Sequence, residues 1–86
     1  MDLEFTSKFS KQYGKKTDEE KEKIDKSLEL LADNPHHPGL HSHKVQGTLG
    51  IFECYADDSH RITFEYGESC IILRNNCKHD MPKINP

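Results

Sequence analysis

Two arginines and a histidine are the side chains whose types and spacing point most directly to a reaction. Arg61 opens one predicted strand, whereas Arg74 and His79 stand near and just beyond the end of the next. Because consecutive strands of an antiparallel meander run in opposite directions, the three side chains can meet at one edge of the sheet. A histidine moves protons near neutral pH, and arginines stabilise charge on a phosphate in the transition state. This set predicts cleavage of RNA, whose own 2'-hydroxyl is the nucleophile, with no metal ion or other cofactor.

A purely structural role for the same three residues is the alternative that the spacing leaves open. Arg61 could pair with Glu53 or Glu65, which lie on the same face of the predicted sheet. Arg74 could lay its aliphatic stem over apolar neighbours, and His79 could be an ordinary residue of the carboxyl-terminal segment. The spacing alone does not separate catalysis from structure.

A cluster of histidines in the segment HHPGLHSH raises the question of a metal site. Its members are His36, His37, His41 and His43. Structural zinc sites combine two pairs of ligands, and the second pair available here, Cys77 and His79, is irregularly spaced. We therefore predict no functional metal site.

Four basic residues near the predicted rim of the sheet are candidates for proton transfer or RNA contacts. His43 could move protons beside the arginines, and Lys44 follows it directly. His41 and Lys78 could contact phosphates together with Lys44. A solvated loop is the competing interpretation for this region.

The three cysteines, Cys54, Cys70 and Cys77, form no CxxC pair, which argues against a disulfide scaffold and a zinc ribbon. We expect reduced thiols. Cys54 and Cys70 alternate as strand residues and are predicted to be small buried side chains. Cys77 lies beside Lys78 and near Arg74, whose charges could lower the pKa of its thiol, and an unreactive thiol is the alternative.

Two helices are predicted before residue 35, and the first is marked by aromatic residues. Phe5, Phe9 and Tyr13 recur at every fourth position, which places three rings on one face of a helix that ends near Gly14. Leu3 and Phe5 could form a short strand that precedes this helix.

The second helix has a marked start and end. Thr17 and Glu20 form a capping box, in which each side chain satisfies a backbone N–H of the other residue. Asn34 and Pro35 end the helix. Its apolar stripe consists of Ile24, Leu28 and Leu31.

The pattern changes to a period of two in the second half of the chain. The segments 51–56, 61–66 and 70–75 are rich in aromatic and β-branched residues and are separated by short turns, as in an antiparallel meander. The face expected to receive the helices carries Phe52, Cys54, Ala56, Ile62, Phe64 and Tyr66. The opposite face carries Glu53, Tyr55, Arg61, Thr63 and Glu65. We predict an α+β fold, a helical hairpin packed on a twisted antiparallel sheet of three to four strands.

Length and composition limit what the chain can be. With 86 residues, 33% apolar and 31% charged, residues 1–86 are expected to form a single domain with a thin core. The longest apolar run has only four residues, 70–73, and there is no signal-peptide pattern, so we expect a soluble cytoplasmic protein. The net charge of -3 gives no sign of nucleic-acid binding, so an anionic ligand needs a local basic patch.

Three segments, NPHHPGLHSHKVQG, GIFECYADDSHRITFEY and IILRNNCKHD, resemble toxins of the RelE/ParE type over about residues 34 to 80. The predicted helical hairpin before them fits the family architecture. The similarity is greatest to RelE-like and YafQ-like members, which cleave messenger RNA, often in the ribosomal A site. By position the resemblance implies that Arg61 and Arg74 are the family's strand arginines and that His79 is its catalytic histidine. It also places His43 and Lys44 at the family's basic positions before the next strand.

The resemblance implies partners as well as a reaction. Toxins of this type pair with a cognate antitoxin protein that wraps around them, and they act on messenger RNA, alone or on the ribosome. Ribosome-dependent members tend to be basic, because phosphate contacts dominate RNA binding. The net charge of -3 departs from that pattern. It leaves open a ParE-like inhibitor of DNA gyrase, or a catalytically silent homologue that only binds an antitoxin.

Overall fold

Two helices pack on a five-stranded sheet in the computed structural model of the chain, which describes residues 1–78. The strands are β1 (Asp2–Phe5), β2 (His43–Lys44), β3 (Phe52–Tyr55), β4 (His60–Tyr66) and β5 (Cys70–Lys78). The helices are α1 (Ser7–Gly14) and α2 (Asp18–Asp33), and a short 3-10 turn covers Pro38–Leu40. The strands lie in the order β1-β5-β4-β3-β2. His79, which the sequence nominates as a catalytic residue, lies outside the described residues.

The predicted α+β class is confirmed, but the sheet has five strands rather than three to four. The short strand considered at Leu3 and Phe5 is β1, and it pairs in parallel with β5, where Leu3 lies opposite Ile71. The strand that the sequence did not reveal is β2, whose two residues, His43 and Lys44, pair with β3. Two residues are too few to show an alternating pattern, and a parallel partner distant in sequence leaves no local signal.

Capping side chains fix where both helices begin. The Thr6 hydroxyl accepts a hydrogen bond from the backbone N–H of Phe9, so α1 starts after Thr6, and Phe5 belongs to β1 rather than to the predicted helix face. The capping box predicted for α2 is confirmed. The Thr17 hydroxyl accepts from the Glu20 N–H at 3.1 Å, and the Glu20 carboxylate accepts from the Thr17 N–H at 2.9 Å. The first turn of α2 lies beside the connection between β3 and β4, where Glu20 contacts His60.

The core lies between the helices and the apolar face of the sheet. Its buried residues are Phe9, Ile24 and Leu31 from the helices, Leu40 from the 3-10 turn, and Cys54, Ile62, Phe64, Ile71 and Leu73 from the sheet. The predicted inward face is confirmed at Cys54, Ile62 and Phe64, whereas Tyr66 stays 39% exposed. None of the helices in residues 1–78 is long and apolar enough to span a bilayer.

A β-bulge changes which residues of β5 face the helices. The register of the β4–β5 ladder shifts by one residue between Thr63 and Phe64, which makes Arg74 the extra residue of β5. Beyond the bulge, the side-chain amide of Asn76 donates to the Phe9 carbonyl in α1 at 2.9 Å. The bulge therefore ends the apolar part of β5 and gives the following residues a polar anchor on the helix.

Candidate functional site

Arg61 is held on the sheet face that points away from the core. It lies directly opposite Tyr55 in the β3–β4 ladder, and its guanidinium carbon is 3.5 Å from the centre of the tyrosine ring. Its Nη1 donates to the carbonyl oxygens of Asp57, at 2.7 Å, and of His60, at 3.1 Å. Arg61 is only 8% exposed, and no carboxylate in the described part of the chain forms an ion pair with it. Its positive charge is therefore fixed in place without a neutralising partner there.

The structural alternative for Arg61, an ion pair with Glu53 or Glu65, is wrong. Both carboxylates are engaged elsewhere, because Glu53 contacts His43 and Glu65 accepts a hydrogen bond from Arg74 Nη1 at 3.1 Å. The Arg61 side chain instead folds over the ring of its cross-strand neighbour. A delocalised guanidinium group is well suited to such stacking, since its face is weakly hydrated.

The sequence predicts that Arg61 and Arg74 meet at one edge of the sheet, but the structure places them apart. Arg61 pairs with Cys77 in the ladder, and Arg74 lies three positions earlier on β5, about 10 Å along the strand. Arg74 lies in the bulge, where its side chain is 38% exposed and bound to Glu65. The third member of the predicted set, His79, is beyond the described residues.

His43 and Glu53 form a close pair between β2 and β3. They are cross-strand partners, and His43 Nε2 lies 2.9 Å from Glu53 Oε1. The other ring nitrogen, Nδ1, lies 3.0 Å from the carbonyl oxygen of His41. A carbonyl and an ionised carboxylate can only accept, so both contacts are hydrogen bonds when both ring nitrogens carry hydrogen. The two contacts fix the orientation of the His43 ring, and half of its side chain is exposed.

His41 and Lys44 flank His43 on either side. His41 has a left-handed backbone, with a φ of 51°, and its ring centre lies 4.9 Å from that of Tyr55. Lys44 is exposed and helps to line an open cleft of about 580 Å³ together with His43 and Glu53. Tyr55 therefore contacts both His41, one of the predicted loop residues, and Arg61, the predicted strand arginine.

His60 is a partly buried histidine to which the sequence did not point. Its Nε2 lies 2.9 Å from Glu20 Oε2 on α2, and its Nδ1 lies 3.1 Å from Asp57 Oδ1 in the turn between β3 and β4. Its side chain is only 14% exposed. In the β4–β5 ladder it faces Lys78, the exposed residue predicted to contact RNA. The one signal in the sequence is the Asp57-to-His60 spacing in a turn, which alone does not reveal a contact with a helix.

The two carboxylates that hold His60 both have a lowered pKa. For Glu20, the hydrogen bonds from the backbone and side chain of Thr17 lower the pKa. For Asp57, burial acts to raise the pKa, but the hydrogen bonds from Ser59 and His60 outweigh it and hold the pKa well below its ordinary value. Both groups are therefore stabilised in the charged, accepting form.

Burial, rather than nearby positive charge, is the main influence on the pKa of the three cysteine thiols. Burial raises the pKa of Cys54 to about 12, and Cys54 is the small core residue that the sequence predicts. Cys70 is only half-buried, and its pKa is raised by burial and by Glu4. The pKa of Cys77 is also raised by burial, so the lowering considered for this thiol is wrong. These thiols are poor nucleophiles at neutral pH.

The loop histidines take part in local contacts. The His37 ring nitrogen Nδ1 accepts from the Gly39 N–H at 3.0 Å, while His41 and His43 contact Tyr55 and Glu53. Over residues 1–78, no group of three or more histidine, cysteine or carboxylate side chains is placed to hold a metal ion.

No family model and no curated protein matches the sequence of this chain. Solved structures, by contrast, match its fold. The YoeB/ParE toxin from Agrobacterium tumefaciens has a TM-score of 0.78 at 19% identity, over 92% of this chain and 99% of that one. The chain has the RelE/ParE toxin fold. YafQ in the E. coli DinJ-YafQ toxin-antitoxin complex gives 0.77 at 15% identity, over 93% of both chains. The RelB-RelE antitoxin-toxin complex from Methanococcus jannaschii gives 0.76 at 16% identity, over 96% of this chain and 99% of that one.

The resemblance to RelE/ParE toxins seen in the sequence is thus confirmed as a likeness of fold. On this RelE/ParE-like sheet, Arg61 lies over Tyr55 and His43 lies against Glu53. The sequence indicated the two basic residues, Arg61 and His43, but it indicated neither these contacts nor His60. The partners follow from the strand register, which is set by pairings across the whole sheet rather than by local spacing.

Proposed function

We propose that this chain is the toxin of a toxin-antitoxin pair and that it cleaves messenger RNA at the ribosome without a metal ion. The main support is the fixed guanidinium group of Arg61 on the same sheet face as the His43–Glu53 pair. RNA cleavage needs a fixed cation for the charge on the phosphate and a group that moves protons, while the 2'-hydroxyl supplies the nucleophile. The fold shared with YoeB, YafQ and RelE toxins supports the same class of reaction.

Each proposed site residue has one task in this reaction. Arg61 binds the scissile phosphate through the guanidinium N–H groups that its two carbonyl contacts do not use, and Arg74 adds positive charge farther along β5. His43 donates a proton or a hydrogen bond to the phosphate when its ring gives up the contact with Glu53 or with the His41 carbonyl, and His79 is the general acid or base. The residues that contact flanking phosphates are His41, Lys44 and Lys78.

The proposed partner is a cognate antitoxin protein. Two of the similar structures are complexes of a toxin with its antitoxin, DinJ-YafQ and RelB-RelE. An antitoxin that covers the Arg61 face would block RNA and supply acidic groups to this arginine, which forms no ion pair within residues 1–78.

The test is induced expression of the wild type and of His79→Ala in a tolerant host, with growth and messenger RNA 5' ends measured together. We expect growth arrest and new cuts in translated messages for the wild type, and a loss of both, by about a hundredfold in cutting, for His79→Ala. His36→Ala, a change at an exposed loop histidine, is the matched control and should behave as wild type. Unchanged cutting by His79→Ala would remove His79 from the mechanism.

A binding protein without nuclease activity is the second candidate. It is favoured by the net charge of -3 and by the carboxylates bound to Arg74 and His43, which reduce the positive potential of the site. The same experiment separates the candidates. Growth arrest without RNA cuts would support a ParE-like inhibitor of DNA gyrase, and absence of any effect would support a silent homologue that only binds an antitoxin.

A further inference from the structure

We propose that Glu20, His60 and Asp57 form a hydrogen-bonded clamp that positions Arg61, so that the first turn of α2 controls the geometry of the proposed phosphate-binding group. The effect of the clamp on RNA cleavage rests on the proposed function. Its effect on the Arg61 guanidinium group does not, and the two can be measured separately.

His60 joins two carboxylates that belong to different parts of the fold. Glu20 comes from the capping box of α2 and lies 2.9 Å from Nε2, while Asp57 comes from the β3–β4 turn and lies 3.1 Å from Nδ1. Both carboxylates only accept, so the ring satisfies both when it carries two protons. With the His60 side chain 14% exposed, these contacts are less screened by water than equivalent contacts on the surface.

Asp57 transmits the clamp to the backbone of the turn. Its Oδ1 accepts from the N–H groups of Ser59, at 2.8 Å, and His60, at 2.7 Å. Its Oδ2 lies 3.5 Å from the Lys23 ammonium group of α2. These contacts fix the segment from Asp57 to His60 as a unit attached to the helix.

Arg61 is bound to the backbone of that same unit. Its Nη1 donates to the carbonyl oxygens of Asp57 and His60, which are the first and last residues of the fixed segment. Anything that frees the turn therefore frees the two oxygens that orient the guanidinium group. Within residues 1–78, the other contact of the group is the ring of Tyr55, which holds it by its face and does not prevent rotation in the guanidinium plane.

The competing explanation is that the clamp only ties α2 to the sheet. In that case, weakening it lowers stability but leaves the Arg61 geometry as it is. Arginine NMR separates the explanations, because the chain has only two arginines, Arg61 and Arg74, and the variant Arg74→Lys assigns their signals.

The first experiment is nitrogen-15 NMR of the guanidinium groups in the full chain, without substrate. Restricted rotation gives separate Nη signals, and free rotation merges them. We expect separate signals for Arg61 in the wild type and merged signals in His60→Gln and in Glu20→Gln. Separate Arg61 signals in both variants, with both folded by circular dichroism, would overturn the proposal.

Two controls account for general effects of substitution on α2. Glu22→Gln removes an exposed carboxylate of the same helix that forms no ion pair with His60, Asp57 or Lys23 within the described residues, and it should keep the separate signals. Ile24→Val removes one methylene group from the core and should also keep them, although it lowers stability. Merged Arg61 signals in either control would show that the effect is not specific to the clamp, and would contradict the proposal.

Cleavage of a messenger RNA by the same variants tests the functional part. We expect kcat to fall by roughly tenfold or more in His60→Gln, with little change in KM, and to stay near the wild-type value in Ile24→Val. Merged Arg61 signals with an unchanged kcat would overturn the link to catalysis. If the wild type cleaves no RNA, the proposed function fails, and the NMR result alone decides whether the clamp positions Arg61.

Discussion

Tyr55 and Arg61 lie directly opposite each other on β3 and β4, with the guanidinium carbon 3.5 Å from the centre of the tyrosine ring. Within residues 1–78, the positive charge is thus offset by a ring face and two carbonyl dipoles instead of a carboxylate. An arginine held by such contacts keeps its attraction for a phosphate, because a ring face and carbonyl oxygens do not neutralise its charge.

Replacing the Tyr55 ring should therefore weaken the anchoring of Arg61. We expect Tyr55→Leu to lower the free energy of unfolding by about 1 kcal/mol or more, because the cation–π contact is lost at a largely buried arginine. Tyr55→Phe keeps the ring face and should stay close to the wild type. Urea denaturation of the three proteins measures the difference, and equal losses for Leu and Phe would contradict this account.

Acidification should destabilise the protein through Asp57. Its pKa in the folded chain lies below its ordinary value of 3.8, so the unfolded chain binds more protons at low pH. The stabilisation is complete above the ordinary value and is lost as the pH falls below about 5 towards the folded pKa. We expect Asp57→Asn to show a smaller decrease in unfolding free energy than the wild type between about pH 5 and pH 3.

The control for this prediction is the same substitution at the neighbouring exposed residue, Asp58→Asn. Urea denaturation at several pH values gives the slope for each protein. A slope for Asp57→Asn as steep as that of the wild type would mean that other carboxylates carry the acid sensitivity.

The contact between His43 and Glu53 should make their contributions to RNA cleavage interdependent. If Glu53 acts by holding His43 as a donor, Glu53→Gln lowers kcat by roughly tenfold, and adding Glu53→Gln to His43→Ala lowers it no further. A double-mutant cycle on kcat measures this coupling. Additive losses would assign Glu53 an independent role in the site.

Asn76 should contribute to stability beyond its size. It is 1% exposed, its side-chain amide donates to the Phe9 carbonyl, and its backbone N–H donates to the Gln12 side chain. Asn76→Ala leaves the Phe9 carbonyl without this donor and should lower the free energy of unfolding by about 1–3 kcal/mol. Gln46→Ala, at an exposed polar position, is the control in the same urea titration, and a similar small loss for both would contradict the prediction.

Local signals in the sequence were sufficient for the helices and for the central strands. The capping box at Thr17 and Glu20 depends on residues three positions apart, and the alternation of Cys54 with its neighbours depends on the strand alone. Such features are encoded within a few residues, so they can be predicted without knowledge of the rest of the fold.

The parts that could not be predicted depend on distant pairings. The bulge adds one residue to β5, so that Arg74 lies three positions before Cys77, the residue opposite Arg61. Nothing in the sequence around Arg74 marks this shift in register. The contact of His60 with Glu20 joins residues forty positions apart through the packing of a helix on a turn. Spacing along the chain therefore indicated residues that are suited to RNA cleavage, but it could not predict which neighbouring residues orient their side chains.

The parallel pairing of β1 with β5 has a consequence for how the chain folds during synthesis. Leu3 leaves the ribosome early, but its strand partner Ile71 emerges only after nearly all of the described residues have been made. Contacts between such distant positions form late and slow folding, because a long loop must close before they are made. The strand β1 therefore stays unpaired until β5 has been made, and the five-stranded sheet is completed only then.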